Sequence, residues 1–257
     1  MNKLMEKLAR GEKALGMHIQ SRDIHMTELI ASLGFDYLWI DMEHTALQSA
    51  EVEDHLLAAR CVGTPCLVRI PWNDPVLVKP ILEMGPAGVI FPMVRSYEEA
   101  KKAVANCLYP PKGIRSFGPR YASHYGQEPI DAYWKRTEED TLRIIQIEHV
   151  DAVNDLDRIV TVEGISAFII GPMDLSASVG KLGKVHDPEV CGMIDTIIRK
   201  IHGAGKLVGA SMGMCGRDEI EWWRRWDVDF ISIANETDLV IAAGRELLDD
   251  MKDIMLK

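Results

Sequence analysis

Two acids stand at the ends of apolar runs, where chemistry is easiest to place. In Arg143-Ile-Ile-Gln146-Ile-Glu148-His149 the apolar positions alternate, which reads as a strand. A period of two then puts Gln146 and Glu148 on one face. A carboxylate near the end of an otherwise buried strand is costly unless a charge or a metal compensates it. One strand-helix-strand unit further on, Ala167-Phe-Ile-Ile-Gly-Pro-Met-Asp174 is a second apolar strand ending in an acid. Two carboxylates, supplemented by water and substrate oxygens, suit a hard divalent ion such as Mg2+ or Mn2+. Glu148 and Asp174 are therefore candidate metal ligands. The competing use is pairing with arginine or capping a helix, which Asp174, ahead of Leu175-Ser176, could also do.

Other strand ends add to the set. Asp41, Glu43 and His44 close the run YLWIDMEH, and Arg69 sits among apolar residues in CLVRIP. A buried arginine needs an anion, and its planar fork suits a carboxylate or an enolate oxygen. An internal salt bridge to Asp41 or Glu43 competes with that use. His44 is a candidate acid or base because its pKa lies near operating pH, although a lone histidine at a strand end is more often structural. His18, His25 and His55 show no HExxH-type spacing, and Trp39, Trp72 and Trp222-Trp223 read as packing. No GxxxxGK[ST] occurs, so SVGKLGK (178–184) is not a phosphate loop. None of the 14 lysines falls within a strand run or at its C-terminal end, so no imine-forming lysine is expected. Carbonyl activation falls to a metal.

The elements that must position these groups are regular. The strand runs are ALGMHIQ (14–20), YLWIDMEH (37–44), PCLVRIPW (65–72), GVIFPMV (88–94), the two already named, LVGASMG (207–213) and FISIANE (230–236). Helical patterns follow each run, which predicts a (β/α)8 TIM barrel, α/β in class, with its chemistry at the C-terminal ends of the strands. An open doubly wound sheet would be expected to carry GxGxxG after a strand, and none is present. No linker or low-complexity tract divides the chain, so residues 1–257 read as one domain. One stretch, 110–136, breaks the rhythm: it is long, rich in Gly, Pro, Tyr and Arg, and reads as a loop near the bottom of the barrel. A subunit contact is its expected use.

Composition excludes several classes. Thirty-nine acidic against 29 basic side chains give a formal charge of −10, which argues against nucleic acid and anionic membrane as partners. Five cysteines without a CxxC pair do not make a disulfide framework, so reduced thiols in a cytoplasmic protein are expected. The N-terminus, MNKLMEKLARGEKALG, lacks the apolar core of a signal peptide, and no apolar run approaches the ~20 residues of a membrane span.

Over nearly its whole length the chain resembles the HpcH/HpaI aldolases, metal-dependent pyruvate aldolases that include 4-hydroxy-2-oxoheptanedioate and 2-dehydro-3-deoxyglucarate aldolases. The resemblance is carried by FDYLWIDMEH, VRIPWNDPVLVKPILEMG, PMVRSYEEAKKAVANCLYPPKGIRSFGP, QIEHVDAVNDLDRIVTVEGI and GPMDLSASVG. It implies a barrel whose last helix swaps between subunits, commonly in a hexamer. It further implies Glu148 and Asp174 as ligands of Mg2+ or Mn2+, with Co2+ possible, and Gln146 and the backbone at Met173 as contacts to pyruvate. Arg69 is implied as enolate stabiliser and His44 as acid/base. Where relatives place an aspartate that raises the basicity of that histidine, this chain has Glu83. Met173 replaces a smaller residue, and Ser211-Met212 replaces an aliphatic pair that shapes the aldehyde pocket. The RSFGP segment also resembles the decarboxylating, macrophomate-synthase-like members. The implied reaction is reversible cleavage of a 4-hydroxy-2-oxo acid to pyruvate and an aldehyde. The alternatives are decarboxylation of oxaloacetate-like acids and non-catalytic binding of a 2-oxo acid.

Overall fold

The computed structural model describes residues 3–213 and 216–256. Eight parallel strands close on themselves in sequence order: β1 (Ala14–Ile19), β2 (Tyr37–Asp41), β3 (Cys66–Arg69), β4 (Gly88–Phe91), β5 (Leu142–Ile147), β6 (Ala167–Ile170), β7 (Leu207–Met212) and β8 (Phe230–Asn235). Around them run α1 (Lys3–Ala9), α2 (Ile24–Ser32), α3 (Ser49–Val62), α4 (Pro75–Glu83), α5 (Tyr97–Cys107) and α6 (Ile130–Asp140). The second half adds α7 (Val150–Asn154), α8 (Leu156–Ile159), α9 (Pro172–Ser178), α10 (Pro188–Gly203), α11 (Arg217–Trp223) and α12 (Glu236–Met255). The expected barrel is the observed one. Helix starts follow local chemistry: Asp74 accepts the Val76 N–H at 2.7 Å ahead of Pro75, and Ser96 caps α5 through Glu99 N–H.

Most strands stop earlier than their apolar runs suggest. β2 ends at Asp41, whose carboxylate takes the N–H groups of Glu43 and His44 at 3.0 and 3.4 Å and turns the chain. β6 ends at Ile170, and Pro172 opens α9 in place of a continued strand. The reactive candidates therefore sit on the turns just beyond the strands.

Alternation along the strands fills the interior. Tyr37, Trp39, Leu67, Ile90, Ile144, Ile169 and Phe230 form one buried cluster, which Leu4 and Leu8 of α1 join. Gly209 makes room for it, since a Cβ there would lie 2.4 Å from the Phe230 ring. Continued by two residues at a time, the inward parity leads to His18, Asp41, Arg69, Gln146 and Ser211 at the mouth. The opposite parity packs the helices, with Ile40, Val68, Val89, Ile145 and Phe168 in the larger cluster.

The 110–136 stretch is not without structure. It contains a 3-10 turn at Tyr121–Gly126 and the start of α6. It lies by the C-terminal end of α4, where Arg115, itself buried, reaches Glu83 at 3.0 Å and Tyr133 Oη at 3.1 Å.

α12 behaves unlike the other long helices. Glu236 is its one buried residue, and every residue from 239 to 256 is exposed. Its apolar side chains, among them Leu247, Met251 and Ile254, face outward. Beside β1 and β8 an apolar groove of about 220 Å3 is lined by Leu15, Trp223, Trp226, Phe230 and Ile231, and Leu15 is 55% exposed although it lies on a strand.

Candidate active site

A cavity of about 180 Å3 opens at the C-terminal mouth of the barrel. Arg69, Gln146, Met173, Asp174 and His44 line it, and His18, Gln20 and Ser211 complete the far wall. Strand register brings the first of these together. Asp41 and Arg69 are paired across β2 and β3, and Arg69 Nε and Nη2 meet the two Asp41 oxygens at 3.0 and 2.7 Å. Arg69 Nη1 also lies 3.0 Å from Glu43 Oε2, and its guanidinium stands 5.1 Å from the centre of the Trp39 ring. The salt bridge that competed with substrate binding thus exists. It fixes the guanidinium while leaving Arg69 on the cavity wall, a geometry that suits a planar anion.

The acids differ in state. Burial works to raise the Asp41 carboxyl, but the Arg69 hydrogen bonds and charge outweigh it and hold it below the usual range. Glu43 and Glu148 go the other way. Burial pushes Glu43 up to about 7 against the pull of Arg69, with Glu148, Asp41 and Asp174 adding negative charge. Burial likewise lifts Glu148 to about 7, although the Met93 N–H opposes it, and Asp174 contributes further upward. Such a crowd of carboxyls wants a cation.

Glu148 is 1% exposed and lies beneath the cavity. Its Oε1 accepts the Met93 N–H at 2.6 Å, and its Oε2 accepts Gln146 Nε2 at 2.5 Å. Met93 has a φ of 54°, a left-handed conformation that costs free energy outside glycine and aims the N–H at the carboxylate. Gly171 keeps the approach open: a Cβ there would sit 2.8 Å from Glu148 Oε2 and from Gln146 Nε2. Gln146 Oε1 is buried without a hydrogen-bond partner. Asp174, in the first turn of α9, is exposed at the cavity.

These residues fit a hard divalent ion. Among the described residues no three His, Cys, Asp or Glu side chains gather as a ligand set. An ion here would rest on Glu148 and Asp174 and leave its other positions to water or substrate oxygens, as Mg2+ commonly does.

His44 is on the cavity wall with its side chain 57% exposed, and its carboxylate neighbour is Glu43, 3.8 Å from Nε2. The expected Glu83 is not there. α4 starts beyond the C-terminal end of β3 and runs back, so its last residue, Glu83, lies at the opposite end of the barrel, paired with Arg115. Within one chain the His44–Glu83 pairing does not form. Sequence reading also passed over Met93, which carries no mark of its backbone conformation. His18 was set aside for lack of a metal-binding spacing, yet its parity with Gln20 in ALGMHIQ points it into the mouth.

Comparison with known proteins agrees with the barrel fold. A model of the HpcH/HpaI aldolase/citrate lyase family matches residues 14–243. A hydroxypyruvate/pyruvate aldolase of Roseobacter denitrificans is 31% identical over 81% of this chain and 82% of its own length. A 4-hydroxy-2-oxo-heptane-1,7-dioate aldolase of Shigella sonnei is 36% identical over 81% of this chain and 79% of its own. The crystal structure of an HpcH/HpaI aldolase/citrate lyase family protein from Burkholderia cenocepacia J2315 superposes with a TM-score of 0.91 at 26% identity, covering 98% of this chain and 100% of that one. With fold and sequence in agreement, the chain belongs to the HpcH/HpaI aldolase/citrate lyase family.

Proposed function

We propose that this protein cleaves 4-hydroxy-2-oxo acids reversibly to pyruvate and an aldehyde, with Glu148 and Asp174 holding a divalent cation, Mg2+ or Mn2+. It is a carbon–carbon lyase of the aldolase class. The observation that carries the detailed reading is the meeting of Arg69, Gln146, Asp174 and His44 in one cavity above the buried Glu148. The cation, when bound, supplies a Lewis acid for the carboxylate and 2-oxo oxygens of the substrate. Gln146 and the backbone at Met173 hold the pyruvate half. In the cleavage direction His44 takes the proton of the 4-hydroxyl, the bond between C3 and C4 breaks, and the aldehyde leaves. Arg69 faces the negative charge that develops on the 2-oxo oxygen, and its two carboxylate partners hold it ready for that charge. A proton then returns to C3 to give pyruvate.

Glu83 takes no part in these steps within one chain; to act on a His44 it must come from a neighbouring copy. The exposed apolar face of α12 and the vacant groove beside β1 and β8 support exchange of α12 in a homo-oligomer, a hexamer in our reading. No helix among the described residues is long and apolar enough to cross a membrane. We place the protein in the cytoplasm, in keeping with free thiols at Cys61, Cys66, Cys107 and Cys191; Cys215 lies outside the described residues.

The test is pyruvate release from a series of 4-hydroxy-2-oxo acids, with oxaloacetate included, before and after EDTA. Aldol cleavage that EDTA abolishes and Mg2+ or Mn2+ restores is the expected result. Full activity after exhaustive chelation would overturn the metal role, and decarboxylation without cleavage would overturn the aldol assignment.

A further inference from the structure

The start of α12 is built into the mouth of the barrel, although residues 239–256 of that helix are exposed. Ala234, next to last in β8, has a φ of 61°, a left-handed conformation that costs free energy outside glycine and is held by its surroundings. Its carbonyl oxygen lies 2.9 Å from His18 Nδ1, which donates to it, since a carbonyl only accepts. Asn235 lines the cavity and caps α12, its Oδ1 accepting the N–H groups of Thr237 and Asp238 at 2.9 and 3.0 Å. Glu236 is 3% exposed and accepts the Gln20 N–H at 2.9 Å and the Ser21 N–H. Ala234 and Glu236 thus fasten the end of β1 to the start of α12.

The fastening reaches the reacting groups. Gln20 stands on the cavity wall with its Nε2 3.5 Å from Asp41 Oδ2, the oxygen that also takes Arg69 Nη2 at 2.7 Å. A shift of the Gln20 backbone therefore moves one wall of the cavity and a neighbour of the Arg69 brace. On the other side, the Glu236 charge rests on the two N–H groups and on the positive end of a 20-residue helix, of which it is the first residue. An isolated helix is marginal in water, and packing of its apolar side supplies most of its stability. α12 leaves Leu247, Met251 and Ile254 bare on its own chain, so a seat elsewhere must complete it.

We propose that the root of α12 is a conformational switch: seating α12 on another copy fixes the mouth of the barrel for catalysis. Glu236 passes that state to Gln20 and, through Asp41, to Arg69. Unseated, the helix frays toward its root, and Glu236 loses its hold on the end of β1. The inference rests on the exchange of α12 and on the aldolase reading, and it joins the two. Glu236 is a positioning residue that acts through the backbone of Gln20 and Ser21.

The experiment compares four full-length proteins: wild type, the double variant Leu247→Asp/Met251→Asp, Glu236→Ala and Glu236→Gln. Leu247 and Met251 are 61% and 53% exposed on their own chain, so their replacement unseats α12 without touching the barrel. Particle mass, amide hydrogen exchange at Gln20 and Ser21, divalent-ion affinity and pyruvate release per subunit are measured on each. The double variant is expected to give smaller particles, loss of protection at both amides, and turnover lowered about tenfold or more by the displaced wall. Glu236→Ala is expected to show the same exchange and turnover in particles of native mass. Its ion affinity is kept, because Glu148 and Asp174 stand beyond β5 and β6. Glu236→Gln, which keeps an acceptor oxygen, recovers part of the protection and of the turnover. Protected amides with wild-type turnover in small particles overturn the switch. Unchanged mass in the double variant overturns the exchange of α12, and the switch with it. Unaltered exchange and turnover in Glu236→Ala overturn the role of Glu236. Amides that open as expected, in a protein whose wild type releases no pyruvate, uphold the switch and overturn the aldolase reading alone.

Discussion

Arg69 shows how a single side chain can be both braced and available. Two carboxylates hold it on one side while the cavity takes the other. Arg69→Ala is expected to lower cleavage turnover by about 10²-fold or more, as loss of one charge-stabilising donor does, with the far-UV circular dichroism retained. Near-normal turnover in folded protein would remove Arg69 from the reaction. His44→Ala is expected to harm aldol cleavage more than oxaloacetate decarboxylation, because the second reaction has no 4-hydroxyl proton to remove. Equal losses in paired assays would make His44 a positioning group. The acids give a pH prediction. In the metal-free protein the Glu43 and Glu148 carboxyls, raised from 4.5 to about 7, hold their protons more tightly folded than unfolded. Their contribution to stability is fully present below about 4.5 and lost as the pH rises through about 7. For the buried Glu148 the loss is on the order of 3 kcal/mol, and for the less buried Glu43, whose shift partly reflects the same repulsion, it is smaller. Melting of EDTA-treated protein should fall between pH 5 and 8 relative to Glu148→Gln, and excess Mg2+ or Mn2+ should narrow the difference. A parallel pH dependence in the two proteins would show that the buried acid is not the cause.

At the scale of elements, what was legible in the sequence and what was not divide on a physical line. Alternating apolar residues report which face is buried, so eight strands and their inward residues could be read locally, from Trp39 through Gln146 to Glu148. Backbone turns beyond the strands left less trace. YLWIDMEH looks like one apolar run until the Asp41 carboxylate captures the next two N–H groups, and Met93 gives no sign of its left-handed φ. Within one chain Glu83 lies far from His44, because α4 runs away from the mouth and takes its last residue with it. Gly171 tests the turn after β6. Gly171→Ala would set a methyl 2.8 Å from Glu148 Oε2, and it is expected to weaken divalent-ion binding by about tenfold or more, read by isothermal titration calorimetry. Unchanged affinity in a folded variant would mean that the ion does not use the space beside this glycine.

Among the described residues, α12 turns its apolar side outward and the apolar groove beside β1 and β8 is uncovered. With α12 seated on a second copy, melting temperature should rise with protein concentration, each tenfold dilution of a pairwise contact costing about 1.4 kcal/mol. Deleting residues 239–256 should leave smaller particles of lower melting temperature in analytical ultracentrifugation. A melting temperature independent of concentration, or unchanged particle mass after the deletion, would place α12 elsewhere. The exchange would also tie assembly to the direction of synthesis. α12 follows every strand of the barrel along the chain, so it leaves the ribosome after them. A newborn chain can therefore close its sheet alone, hold an open apolar seat, and carry the plug for another chain's seat. Completion then becomes a second-order event, so neighbouring ribosomes on one message would finish their products faster than scattered ones.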